Sequence, residues 1–185
     1  MQNKSLGFDR EHIITLAYDA GLNNTFNAFK TELLSNSFIK NTGRSSRIPT
    51  GRLLDEMGSK INRGDSFAPT KADIKFVVTD ADFIPTYGVK MIAGRNFSKD
   101  FSTDSGSFLI NEAAVKALKI QSNEEASGKE CTYGQRKGQL IGVFNDFHFE
   151  SMHQRILPVV FFIHRTANGY ATISIKIAGN NIAAA

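Results

Sequence analysis

The spacing of apolar residues changes period several times along the chain, and each change predicts an element. In "EHIITLAYDA", Ile13, Ile14, Leu16 and Tyr18 form a β-rich run that ends at Asp19-Ala20-Gly21, which predicts a strand closed by a turn. In "NNTFNAFKTELLSNS", Phe26, Phe29, Leu33 and Leu34 recur at helical spacing behind an Asn cap, and the strand-like "FIKNTGRSSRIP" that follows completes a β-α-β unit. From Thr50 the texture changes, because "GRLLDEMGSKINRGDSFAP" mixes glycine and charge without a period. Regular pattern returns in "KADIKFVVTDADF", a strand with Ile74, Phe76 and Val78 on one parity.

"DADFIPTYGVKMIAGRNF" reads as a short helical turn at Pro85, a stop at Gly88 and a brief strand into Gly94. "GSFLINEAAVKALKI" is a strand entering a helix, with Asn111 as cap and Ala114, Val115 and Leu118 as the apolar face. "KECTYG" and "RKGQLIGVFNDFHF" predict a hairpin through Gln135-Arg136-Lys137-Gly138, and "PVVFFIH" with "GYATISIKIAG" a second strand pair around Thr166-Ala167-Asn168-Gly169. Asn180-Asn181-Ile182 supplies a helix cap and first turn before Ala185, so a second β-α unit reads as cut short. Strands at both ends bracketing a middle of different texture predict an α+β fold in which one subdomain is inserted into a loop of the other. The expected boundaries are 1–48 plus 156–185 for the outer subdomain and 49–155 for an inserted, mainly β subdomain.

Composition narrows the function classes. The 185 residues suffice for a core without disulfides, and the single Cys131 cannot form an internal bridge. The net charge of +4 is spread over scattered Lys and Arg, which argues against a nucleic-acid binder. The longest apolar run, "ILPVVFFI", is broken by Pro158 and suits a buried strand rather than a span of roughly 20 residues. "MQNKSLGF" has no apolar stretch behind its charge and does not read as a secretory signal.

The densest candidate chemistry is "GVFNDFHFESMH", positions 142 to 153. His148, Glu150 and His153 have an H-x-E-x-x-H spacing, but zinc-binding histidines on a helix lie four apart, whereas these lie five apart at a strand end. Ile141, Val143, Phe147 and Phe149 share one parity of the predicted strand, and Phe144, Asp146 and His148 share the other. The favoured reading is a core strand running into a polar turn braced by Asn145 and Asp146. Arg44, Arg47 and Arg52 could bind an anion or an acidic partner, although a solvated hinge between subdomains is favoured. "DADF" and "SKDFSTDSG" lack the calcium-loop pattern, the serines have no G-x-S-x-G context, and the glycine-rich "YGVKMIAGRNF" and "YGQRKGQLIG" lack phosphate-loop spacing. Phe97, Phe101 and Phe108 are candidate interface residues, with core packing favoured. The expectation is therefore no enzyme, no cofactor and no catalytic, cofactor-binding or metal site.

Three stretches carry a resemblance: "NKSLGFDREHIITL"; "DADFIPTYGVKMIAGRNFSKD"; and "FLINEAAVKAL" leading through "EEASGK" to "GQLIGVFNDFHFESMHQRILPVVF". In this order and spacing, covering almost the whole chain, they resemble the extracytoplasmic core domain of MacB/FtsX-type ABC transporter permeases. Ser127 departs from the family's usual apolar residue before Gly-Lys, and Lys119 stands near a position often filled by Gly. The resemblance implies a porter-like β-α-β subdomain, a ferredoxin-like half truncated at its C-terminus, carrying an inserted mainly β subdomain. It implies a place on the periplasmic face of a bacterial inner membrane, with transmembrane helices before Leu6 and after Ala185. The implied partners are a second permease copy or second periplasmic domain of the same transporter, a cytoplasmic ATP-binding subunit coupled through the membrane helices, and a periplasmic adaptor or cargo. The implied role is contact with partner or cargo and transmission of ATP-driven movement. A ligand-sensing module and a metal-dependent hydrolase using His148, Glu150 and His153 are the alternatives.

Overall fold

The computed structural model describes residues 7–9, 11–53, 55–62, 66–150, 154–164, 166 and 169–179. His153 and the helix expected from Asn180 lie outside the described residues. In chain order the first elements are β1 (Ile13–Ala17), α1 (Phe26–Ser35), β2 (Ile39–Ser45), β3 (Ser59–Asn62), β4 (Phe67–Pro69), β5 (Lys75–Val78), α2 (Phe83–Thr86) and β6 (Met91–Gly94). They continue with β7 (Phe108–Asn111), α3 (Glu112–Ala117), α4 (Asn123–Ala126), β8 (Glu130–Tyr133), β9 (Arg136–Phe144), β10 (Val159–Phe162) and β11 (Thr172–Ile177). The result is a mixed α and β fold with few helices.

Two sheets organise these strands. The smaller has the order β1-β11-β2, with β11 antiparallel to both neighbours. β1 and β2 are therefore parallel, joined by α1 and separated by β11, which is a split β-α-β unit. Along β11, Ile173, Ile175 and Ile177 face a core with Phe26, Phe29 and Leu33 of α1, while Ser174 points to the other face. Leu34, grouped with the apolar stripe by its spacing, stays exposed, and the residue capping α1 is Thr25, whose side chain makes no capping bond.

The larger sheet runs β4-β3-β8-β9-β7-β10-β5, with β6 also paired to β9. Its inner strands β7 and β10 are buried at every position because both faces are covered, and β10 is apolar throughout. One face puts Val78, Phe108, Ile110, Val143, Val160 and Phe162 under α3 and α4. The opposite face puts Val77, Leu109, Phe144, Val159 and Phe161 against α2, Phe147 and Phe149. Asn111 performs its predicted capping, accepting from the Ala114 amide at 3.0 Å, and it also accepts from the Val159 amide and donates to the Leu157 carbonyl.

Three features differ from expectation. The β8–β9 hairpin turns at Gly134-Gln135, where Gly134 takes φ +58°, and residues 136–138 already lie in the ladder. Position 138, paired with Cys131 in the ladder, must be glycine because an added Cβ would lie 1.6 Å from the Gly106 carbonyl oxygen. "PVVFFIH" and "GYATISIKIAG" do not pair with each other: β10 lies between β5 and β7 in the larger sheet, and β11 lies in the smaller. Val-Val-Phe-Phe is apolar on both parities and suits a sheet covered twice, whereas Thr-Ile-Ser-Ile-Lys-Ile alternates and suits one core face. Finally, β9 ends at Phe144, so Phe147 and Phe149 reach their core from irregular chain rather than along a strand.

Candidate functional site at the junction of the two sheets

The sheets meet where β2 passes the end of β5. Ser46 donates to the Val78 carbonyl at 2.8 Å and Asp80 to the Arg44 carbonyl at 3.0 Å, around an isolated antiparallel bridge between Ser45 and Thr79. The short helix α2 is wedged beside this seam. Its Phe83 is fully buried and meets Phe161 of the larger sheet edge-on at 5.3 Å. The hydroxyl of Tyr87, just past α2, shares a 2.8 Å hydrogen bond with Ser174 of the smaller sheet. Gly43 in β2 makes this contact sterically allowed, because a Cβ there would lie 2.8 Å from the Phe83 nitrogen.

Charge is concentrated at the same seam. The Arg44 guanidinium lies over the rings of Phe26 at 3.9 Å and Tyr170 at 4.3 Å, donates to the Tyr18 hydroxyl at 3.2 Å, and pairs with Asp80 at 3.3 Å. Cation–π contact and a carboxylate thus replace the water removed from this cation. Burial pushes the Asp80 carboxyl up, with the nearby Asp82 carboxylate adding to the shift and Arg44 opposing it. Asp82 at the start of α2 pairs with Lys30 of α1 and, at 3.5 Å, with Lys99. Burial also pushes the Tyr170 phenol up to about 12. Of the three arginines considered as a hinge or anion site, only Arg44 enters this cluster; Arg47 pairs with Asp55 at 2.6 Å and Arg52 is exposed.

The segment after β9 ties four distant pieces of chain together. Asn145 receives the Lys90 amide on its side-chain oxygen at 2.8 Å and donates to the Gly7 carbonyl at 3.1 Å. Asp146 does not brace its own turn: its carboxylate accepts from the Ala113 amide at the start of α3, at 2.8 Å. Burial pushes this carboxyl up, the Ala113 amide opposes that, and the neighbouring Glu112 reinforces it. Glu150 accepts the Leu53 amide at 2.6 Å and the Phe149 carbonyl accepts the Thr50 amide at 2.6 Å, which clasps the outgoing crossing to the segment after β9. Thr50 takes φ +90° here, a strained value for a β-branched residue.

The structure therefore places Glu150 on a backbone amide and His148 half-buried beside it, lining a small concavity with Leu53, Phe147 and Leu157. Among the described residues no group of three or more His, Cys, Asp or Glu side chains is disposed to hold a metal ion. Phe97 and Phe108 are core residues, whereas Phe101 is 51% exposed beneath the Arg95 guanidinium. Arg95 also forks onto the buried Asp104 at 2.7 and 2.8 Å. Sequence reasoning missed the Arg44 cage, the Tyr87–Ser174 bond and the Lys30–Asp82 pair; a glycine in mid-strand at Gly43 and a serine alternating with isoleucines at Ser174 were the available signals.

The fold is shared with solved extracytoplasmic domains of membrane transporters. The periplasmic region of MacB from Actinobacillus actinomycetemcomitans is 16% identical with a TM-score of 0.58, over 94% of this chain and 78% of that one. The extracellular domain of the ABC-type transporter YknZ from Gram-positive bacteria is 14% identical, with a TM-score of 0.56, over 92% and 87% of the two chains. A permease-protein domain from Porphyromonas gingivalis is 15% identical, with a TM-score of 0.54, over 92% and 76%. No family model and no curated protein matches the chain.

Proposed function

We propose that this chain is an extracytoplasmic domain of an ABC-type transporter permease, which contacts partner or cargo outside the membrane and passes on ATP-driven movement without chemistry of its own. The observation that carries this reading is the fold shared, over nine-tenths of the chain, with the periplasmic region of MacB, the extracellular domain of the ABC-type transporter YknZ and a permease-protein domain. No helix among the described residues is long and apolar enough to cross a membrane. The two sheets correspond to a porter-like lobe and an inserted lobe. In this reading the chain crosses out near 49 and back after β10, which pairs within the larger sheet. A second permease copy, a cytoplasmic ATP-binding subunit and an adaptor or cargo are the partners this role requires. Coupling between lobes would run through α2 and the Arg44 cluster, which touch both sheets.

The test is cysteine labelling of the protein expressed from its own gene. Phe101 is exposed, whereas Cys131 is buried with its thiol pushed up to about 12 by burial, so Cys131 should stay unreactive. The Phe101→Cys variant should react with a membrane-impermeant maleimide in intact spheroplasts and fractionate with the membrane. Labelling only after lysis, in the soluble fraction, would overturn the reading.

A further inference from the structure

The strap whose described residues are 7–9, 11 and 12 is fastened to both lobes. At its first end Gly7 is seated against the segment after β9: its carbonyl accepts from Asn145, and its φ of +82° leaves 2.8 Å between an added Cβ and both the Asp146 carbonyl oxygen and the Phe147 Cβ. Phe8 then inserts its ring edge-on between Phe147 at 5.5 Å and Tyr87 at 6.1 Å. Asp9 donates its amide to the Tyr87 carbonyl at 2.8 Å, fixing the strap to the end of α2. At the other end Lys176 of β11 reaches back with two bonds of 2.6 Å, one to the Asp9 carboxylate and one to the Glu11 carbonyl. Asp9 also accepts the Glu11 amide, which closes the strap on itself before His12 turns it, with φ +57°, into β1.

We propose that this strap is a coupling device: while seated it locks the smaller sheet, α2 and the segment after β9 into one relative arrangement, and lifting it releases both lobes together. The chemistry supports a latch rather than a permanent core. Among the described residues its fastenings include one ring, hydrogen bonds at Gly7, Asp9, Glu11 and His12 and an ion pair, each of modest strength alone and lost together when the strap peels. The groups facing it belong to β11, the end of α2 and the segment after β9. If the role in movement transmission holds, the strap is one route by which displacement reaches both lobes; the latch itself does not depend on that reading.

Amide hydrogen exchange on the full chain tests it. Phe8→Ala should speed exchange about tenfold at Lys90, Ala113 and Asn145 on one side and at Ile177 and Ala178 on the other, while amides of β3 and β8 keep their protection. Acceleration confined to residues 7–9 would overturn the proposal. If Phe8→Ala loosens the whole molecule, Lys176→Met decides: faster exchange at Lys90 and Asn145, across the junction from the substitution, supports the latch, and faster exchange in β11 alone rejects it. Failure of the spheroplast labelling would leave this result standing, and failure here would leave the labelling standing.

Discussion

Phe147 and His148 are neighbours with opposite roles, which makes them a sharp test of what the aromatic cluster does. Phe147 is buried among Phe8, Phe144 and Phe149, with ring centroids 5.5 to 6.0 Å apart. Phe147→Ala should destabilise by about 3 kcal/mol or more through lost burial and the cavity left behind. His148→Ala, at a half-buried position, should cost clearly less; equal large losses in thermal denaturation would point to a functional histidine. Gly43 is the second informative residue. A methyl group there meets backbone of α2, which cannot swing aside as a side chain would. Gly43→Ala should therefore cost about 1 to 3 kcal/mol and weaken the Tyr87–Ser174 bond. Gly58→Ala, where an added Cβ meets nothing within 4 Å, is the control. Equal melting temperatures for the two variants would show that α2 does not rest on β2 as described.

At the scale of elements, legibility followed the locality of the forces. The "DADFIPTYG" turn, the Asn111 cap and the buried face of α3 could be read because capping and amphipathic spacing act within a few residues. Strand pairing was less legible: β10 and β11 are close in sequence, but their partners lie far away and are chosen by which faces need covering. The polar residues after Phe144 were recognised as a brace, yet the Gly7 carbonyl that Asn145 holds lies 138 positions away. Lys119 shows a local departure that could be read. It follows α3 with φ +55°, and the next amide, that of Ile120, bonds back to the Val115 carbonyl, so it occupies the left-handed position that ends a helix. Lys119→Gly should raise stability by about 1 kcal/mol by removing the Cβ penalty. A lower melting temperature in the variant would mean that the lysine side chain has a compensating role.

For the whole molecule, the two most buried carboxylates among the described residues should respond to acid in opposite directions, and this tests whether the junction is dominated by burial or by its ion pair. Burial pushes the Asp104 carboxyl up, but the Arg95 fork and the Ser98 amide outweigh it and hold the carboxyl below its ordinary value of 3.8. Its contribution is thus present above that value and lost as pH falls through the lower folded value. Asp80 is shifted the other way, chiefly by burial, from the same ordinary value. Its contribution is present below 3.8 and lost as pH rises through the higher folded value. Unfolding free energies of wild type, Asp104→Asn and Asp80→Asn between about pH 6 and about pH 3 separate the two cases. As pH falls, the advantage of wild type over Asp104→Asn should shrink, while wild type should gain on Asp80→Asn. If both differences shrink together, the Arg44–Asp80 attraction exceeds the cost of desolvation. The seam between the sheets would then be a closed ion pair rather than a carboxylate that burial makes easier to protonate.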